Sequence, residues 1–312
     1  MIVDDSIVAE RTAKKMSSLE GLYGRPGFKI RRAHQIAVGI FAEATSGLNV
    51  TTSQYGVVHA LARMEGLDQI TVARLIGLDR STTSMVLDLL EQRGIIERAQ
   101  DPSDRRRRIL RVTDTGRDLY ERAQAPVAGA VRLLMEPVAP DDREPFLDCL
   151  EKLVWSAAGP VEPALGRELR DLYRRPGFLI RRAHQLSTAR FIEACKPYDM
   201  TTTQFGMMFV LNARPNIDQV NLARLAFFDR STNSMVVDML ANRGWIERRI
   251  DPQDRRRRLL SLTGLGTEVL DAVTPATEDV RQALLAGLEQ SEQDFLMRCL
   301  DLITSALGDA NF

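Results

Sequence analysis

Apolar residues recur with helical spacing at Ile30, Ala33, Ala37, Ile40, Phe41 and Ala44, which predicts a helix over 28–45. A second helix is predicted from Thr51 to about Arg63, with Thr51 and Gln54 at capping-box spacing. Then come a short helix at Gln69–Ile76, a break at Gly77-Leu78-Asp79, and a helix over Arg80–Gln92. Arg93-Gly94 closes that helix with a basic last turn and a C-terminal glycine. Two strand-like runs, Ile95–Arg98 and Arg108–Val112, flank Asp101-Pro102-Ser103-Asp104, which is a hairpin signal. Thr113–Glu136 and Pro140–Ala157 read as two long amphipathic helices.

The same order then returns at a constant offset of 150 residues, so that Arg25-Pro26-Gly27-Phe28 becomes Arg175-Pro176-Gly177-Phe178. The second copy predicts helices near 178–195, 202–214, 219–227, 230–243, 264–287 and 290–307, with a hairpin near 246–262. Leu19, Leu22 and Tyr23 match Leu169, Leu172 and Tyr173, which adds a short helix before each copy. A repeat this long is a whole domain rather than a solenoid unit. The expected domains are 1–158 and 159–312, with Gly159-Pro160-Val161-Glu162-Pro163 as the linker.

Net charge is zero over 312 residues, which by itself argues against a nucleic-acid partner. The charge is segregated, however. Residues 101–111 carry five arginines against two aspartates, while 136–151 holds six acidic residues against Arg143 alone. The three cysteines, Cys149, Cys195 and Cys299, show neither a disulfide framework nor metal-type spacing, so a reducing compartment is expected. Met1-Ile2-Val3-Asp4-Asp5 lacks the order of a signal peptide, and no apolar run approaches the ~18 residues of a membrane span. A cytoplasmic protein without membrane contact, metal or cofactor is expected. The common catalytic motifs are absent and only three histidines occur, so an enzyme is not expected.

A short helix, a tight turn, a second helix opening on small polar residues and an arginine-rich hairpin make a winged helix-turn-helix. The major groove admits such a helix, whose first residues reach base edges. Here those residues are Arg80, Ser81, Thr82, Thr83 and Ser84, and in the second copy Arg230, Ser231, Thr232, Asn233 and Ser234. The wing arginines Arg105, Arg106, Arg107 and Arg108, with Arg255, Arg256, Arg257 and Arg258, suit the adjacent minor groove. Asp104 or Asp254 is expected to fix one arginine in each wing. Met85, Val86, Leu89 and Leu90 sit at core spacing.

The run from Asp79-Arg80-Ser81-Thr82 through Arg93-Gly94, then Asp101-Pro102-Ser103-Asp104-Arg105-Arg106 and Leu110-Arg111-Val112-Thr113 with Gly116, resembles the MarR family of bacterial transcriptional regulators. The pattern recurs at Asp229–Gly244, Asp251–Arg256 and Leu260–Gly266. The resemblance implies a mainly α fold with small β-wings, homodimers with interlocked terminal helices, a palindromic double-stranded operator, and often a small phenolic or aromatic acid that releases DNA. Two fused copies then imply an intramolecular pseudo-dimer working as a single chain, most simply a repressor. The alternatives are a redox- or ligand-independent regulator of the same type, or an adaptor that kept the fold without binding DNA.

Arg31 and His34 lie three apart on one helix, as do Arg181 and His184. Such a pair could hold a ligand carboxylate, or could tie the helix to the DNA-binding lobe. His59, whose counterpart is Phe209, suits a pocket or core lining, and Arg190 stands where the first copy has Ile40. The copies agree at nine of twelve positions over 79–90 but at three of fifteen over 36–50. Similar half-sites with inequivalent effector pockets are therefore expected. Thr83 against Asn233 predicts an imperfect palindrome, and Lys196 could lower the pKa of Cys195 enough for redox sensing.

Overall fold

The computed structural model describes residues 18–101, 108–158 and 168–308. Arg105, Arg106, Arg107 and the expected linker Gly159–Pro163 lie outside the described residues. The first repeat runs α1 (Leu19–Tyr23), α2 (Pro26–Ala44), α3 (Thr52–Arg63), α4 (Gln69–Ile76), α5 (Arg80–Gln92), β1 (Ile96–Gln100), β2 (Arg108–Val112), α6 (Asp114–Met135) and α7 (Pro140–Ala158). The second runs α8 (Arg170–Tyr173), α9 (Pro176–Ala194), α10 (Thr202–Ala213), β3 (Ile217–Asp218), α11 (Gln219–Ala226), α12 (Arg230–Asn242), β4 (Ile246–Ile250), β5 (Arg258–Leu262), α13 (Gly264–Leu285) and α14 (Gln290–Leu307). The fold is mainly helical with small antiparallel wings, as the pattern predicts.

The local signals act as the sequence suggests. Thr51 and Gln54 form a reciprocal capping box, with Thr51 N–H donating to Gln54 Oε1 at 2.9 Å, and Thr201 with Gln204 repeats it. Asp68, Asp79, Asp218 and Asp229 each cap the helix that follows them. Strands β1 and β2 pair in the register Ile96↔Val112, and β4 and β5 in the register Ile246↔Leu262. The two-residue strand β3 adds a third strand to the second wing through Ile217↔Leu260. It is too short to show a period of two, so the sequence reading missed it.

Compactness divides the described residues otherwise than the repeat does. Unit one gathers residues 18–32 with 184–286, and unit two gathers 33–183 with 287–308. Two of the three division points fall inside long helices, between Arg32 and Ala33 of α2 and between Ala183 and His184 of α9, and the third follows α13, between Ala286 and Gly287. Each unit thus takes a short segment that the sequence assigns to the other repeat.

These segments are core. In unit one, Leu22 is buried among Phe191, Phe205, Met208 and Phe209, while Tyr23 Oη donates to the Leu225 carbonyl at 2.9 Å. Full burial of a leucine is worth about 1.5–3 kcal/mol. In unit two, Leu169, Leu172, Tyr173 and Phe178 play the same part against Val57, Leu61 and their neighbours. The acidic stretch of α7 finds its partner here. Arg174 donates to Asp148 at 2.6 Å and Glu151 at 2.7 Å and also pairs with Glu144, tying α8 to α7. Helix α14 packs on α7, with an ion pair between Lys152 and Glu292.

Candidate functional site

In each unit two helices meet across a tight turn, and the second presents one face to solvent. On α5 the side chains of Thr83, Val86, Leu87 and Leu90 are buried, at spacings of three, four and seven. Arg80, Ser81, Met85, Asp88 and Leu89 are exposed. Helix α12 repeats this, burying Asn233, Val236, Val237 and Leu240 and exposing Arg230, Ser231, Ser234, Met235 and Met239.

Two expectations need correction here. Thr83 and Asn233 are 0% and 1% exposed, with Thr83 Oγ1 donating to the Asp79 carbonyl and Asn233 Nδ2 to the Gln219 carbonyl. They point into the fold, so neither reaches a base and the imperfect palindrome loses its carrier. Met85 and Leu89 lie on the exposed face rather than in the core. The Asp79 carboxylate caps the α5 N-terminus itself, accepting from Thr82 N and from the hydroxyls of Ser81 and Thr82, each at 2.6–2.8 Å. Asp229 does the same for α12. Those hydroxyls hold both carboxyl groups well below the ordinary range. With their protons committed, Ser81, Thr82, Ser231 and Thr232 face outward as acceptors, which suits base amino groups better than phosphate.

In the second wing Arg255, Arg256, Arg257 and Arg258 are all exposed. The aspartates that hold Arg257 are Asp218, at 2.5 Å, and Asp251, at 3.4 Å. Asp254 instead accepts from the backbone N–H of Arg256 at 2.9 Å and shapes the tip. Asp218 also caps α11, so one carboxylate fixes the wing to the helix-turn-helix. Arg108 is exposed at the end of β2.

Each unit also holds a cavity of about 660 Å³, counted out to its mouth. Unit one's cavity has a wall from α9 (His184, Ser187, Thr188, Phe191) and a wall from α13 (Thr277, Val280, Arg281, Leu284). Both walls follow the i, i+3, i+4, i+7 rule of one helical face. The segment 22–31 closes the cavity with Arg25 and Arg31, among others. Unit two's cavity is built from the positions offset by 150: α2 gives His34, Ala37, Val38 and Phe41, and α6 gives Val127, Ala130, Val131 and Leu134. Arg175 and Arg181 close it.

The expected pairings are therefore crossed. Arg31 shares a cavity with His184, and His34 shares one with Arg181. Arg31 is 9% exposed, donates to the carbonyls of Ala226 at 2.8 Å and Phe227 at 3.2 Å, and lies between the rings of Phe28 and Phe228. It caps the C-terminus of α11, where unsatisfied carbonyls and the helix dipole favour a cation. Burial, then Arg32, brings its pKa down to about 10, still charged at neutral pH. Arg181 donates to the Ile76 carbonyl at 2.7 Å and Arg182 to that of Gly77 at 3.2 Å, capping α4 in the same way. Gly77 has φ +68°, and a Cβ there would meet the Arg182 guanidinium at 2.0 Å. Phe227 takes the corresponding left-handed turn at φ 54°, with Arg32 stacked 4.4 Å above its ring.

His59 and Arg190 line neither cavity. His59 is fully buried, with Nε2 3.3 Å from Asp171 and Nδ1 3.3 Å from the Tyr120 hydroxyl. Arg190 donates to the Ala283 carbonyl. All three cysteines are buried, and burial pushes the thiols of Cys195 and Cys299 up to about 11. Lys196 does not make Cys195 a thiolate, so redox sensing finds no support here.

Burial also brings His59 and His184 down to about 4 from the ordinary 6.5. The unfolded chain therefore binds more protons between those values. Stability is full above about pH 6.5 and declines as pH falls toward about 4. Urea midpoints measured from about pH 7 to about pH 4.5 should fall steadily; a constant midpoint would contradict the neutral, buried state of both rings.

Two helix-turn-helix lobes with wings and outward recognition faces define a DNA-binding regulator, and comparison with known proteins agrees. The MarR family description matches residues 46–107 and 198–257. The transcriptional regulator HosA of Escherichia coli O111:H- is 31% identical over 127 residues, 41% of this chain and 93% of that protein. The HTH-type transcriptional repressor NicR of Pseudomonas putida is 30% identical over 124 residues, 39% of this chain and 78% of its own length. Among solved structures, the PcaV transcriptional regulator of Streptomyces coelicolor in complex with its natural ligand is 31% identical, with a TM-score of 0.40, covering 44% of this chain and 96% of that one. This chain belongs to the MarR family of transcriptional regulators and carries its domain twice. No described helix is long and apolar enough to cross a membrane, and no cluster of metal-ligating side chains occurs among the described residues.

Proposed function

We propose that this chain is a repressor in which repeats 1–158 and 159–312 take the place of two subunits, binding a near-palindromic operator as a single-chain pseudo-dimer and leaving it when a small aromatic acid enters the cavities. Helices α5 and α12 would enter successive major grooves, with exposed Arg80 and Ser81, half-buried Ser84, and the exposed counterparts Arg230, Ser231 and Ser234 toward bases or backbone. The wings would lay Arg106 and Arg256 along flanking minor grooves. Fusion would replace bimolecular dimerisation by a high effective concentration.

One observation carries the ligand-responsive part. Arg31 both lines a cavity and caps α11, the helix that leads into recognition helix α12. A carboxylate reaching that guanidinium would compete with the Ala226 and Phe227 carbonyls. A ligand favouring the loosened turn must weaken DNA binding, and DNA must weaken the ligand by the same factor.

A gel shift on the chain's own promoter, with a panel of aromatic acids, tests this reading. Arg256→Ala should weaken operator binding about tenfold at near-physiological salt and lower the salt slope by about 1. Unchanged affinity and slope would reject the wing assignment; DNA binding that no aromatic acid reverses would reject the ligand.

A further inference from the structure

The two cavities occupy equivalent positions and enclose the same volume, yet their chemistry has moved apart in one direction. On the first wall Ala37 and Val38 of unit two correspond to Ser187 and Thr188 of unit one. On the second wall Val127 and Val131 correspond to Thr277 and Arg281. Unit one thus gains three hydroxyls and a third guanidinium where unit two is aliphatic.

One change runs the other way. In unit two the closing arginine, Arg175, donates to the Tyr55 hydroxyl at 2.8 Å. In unit one that tyrosine is Phe205, and Arg25 donates instead to Thr277 Oγ1 at 2.9 Å. The hydroxyl that orients the arginine has moved from one wall to another, which spares Thr277 little for a ligand but keeps Arg25 aimed. Arg25 Nε, buried over the rings of Phe205 and Phe209, has no hydrogen-bond partner among the described residues. Arg281 is held through its Nε by Glu278 at 2.6 Å, which leaves its terminal nitrogens for other acceptors. In unit two, Arg181 Nη1 is likewise without a partner, but no second-wall cation faces it.

We propose that the cavities take different ligands: unit one an aromatic acid with a second anionic end, which Arg281 and Thr188 receive, and unit two an aromatic acid with one carboxylate and an apolar remainder, which Val38 and Val131 receive. This rests on the reading of the cavities as effector sites. It makes the chain a regulator with two chemical inputs, which two identical subunits would not provide. A carboxylate among the aliphatic side chains of unit two would be desolvated without a partner, whereas an alkyl end in unit one would bury Arg281 and the hydroxyls unpaired.

Calorimetry on the full chain without DNA tests this with two probes of similar shape, terephthalate and 4-isopropylbenzoate. Each should bind with one site per chain, and saturation with one should leave the affinity for the other within about twofold. Arg281→Val combined with Thr188→Val should weaken terephthalate at least about tenfold and create a second site for 4-isopropylbenzoate. The reciprocal Val131→Arg with Val38→Thr should create a second terephthalate site, which a misfolded chain could not do. Two equal sites for either probe, mutual competition, or heat from neither would overturn the proposal. Because no operator is present, failure here is distinct from failure to bind or release DNA.

Discussion

Arg31→Ala should destabilise unit one by about 2–5 kcal/mol, because two carbonyls are left without their donor at about 1–3 kcal/mol each. Two carbonyls at the α11 C-terminus, those of Ala226 and Phe227, lose their charge-assisted donor, and the space between Phe28 and Phe228 empties. A lysine cannot fork onto two carbonyls or stack flat between two rings, so Arg31→Lys should recover only part of the loss. Urea unfolding of the two variants beside the parent measures this, with a DNA-binding assay on the same samples. A stable Arg31→Ala chain that still binds operator but ignores ligand would show that Arg31 serves the ligand alone. A loss of both stability and DNA binding would show that the cap comes first.

The second large effect concerns the start of α6 and α13. Gly266 has an ordinary helical backbone, yet an added Cβ would stand 1.9 Å from the Trp245 carbonyl oxygen; at Gly116 it would stand 2.1 Å from that of Ile95. The obstructing atoms are backbone, so no rotamer change relieves them. The same carbonyls accept from Thr263 N at 3.0 Å and Thr113 N at 3.1 Å, which fastens the end of each wing to the helix after it. Moving either carbonyl breaks that bond. Gly266→Ala and Gly116→Ala should each cost about 3 kcal/mol or more, above the common range for overpacking. Thermal unfolding that places either variant within about 1 kcal/mol of the parent would refute the close approach.

Signals that are local in the chain were legible. The capping box at Thr51 and Gln54, the helix Gln69–Ile76 and the helix Arg80–Gln92 could be bounded from sequence because caps and breaks act over a few residues. Facing was harder. Met85 and Leu89 look like core by hydrophobicity, but the buried face runs through Thr83, Val86, Leu87 and Leu90. The spacing of Thr83 to Leu90 carried that signal, and residue type masked it. What the sequence could not reveal was long-range. Arg31 and His34 are near neighbours on α2, yet line different cavities because the divide between units falls between them. Asp218 and Arg257 are brought together only by the wing.

The taking of segments across repeats also sets an order on folding. Arg25 finds Thr277, 252 positions further along the chain, only when that residue has been made, and Leu22 waits for a core that begins at Phe191. Unit two lacks Leu172 and Phe178 until translation is well into the second repeat, and lacks α14 until Gln290–Leu307 has been made. Neither half can be completed on the ribosome before the other is largely synthesised. The chain has to close late, through distant contacts, as topologies of high contact order do. A nascent first repeat meanwhile displays an unfilled hydrophobic site that Leu172 and Phe178 of a neighbouring chain would fit equally well.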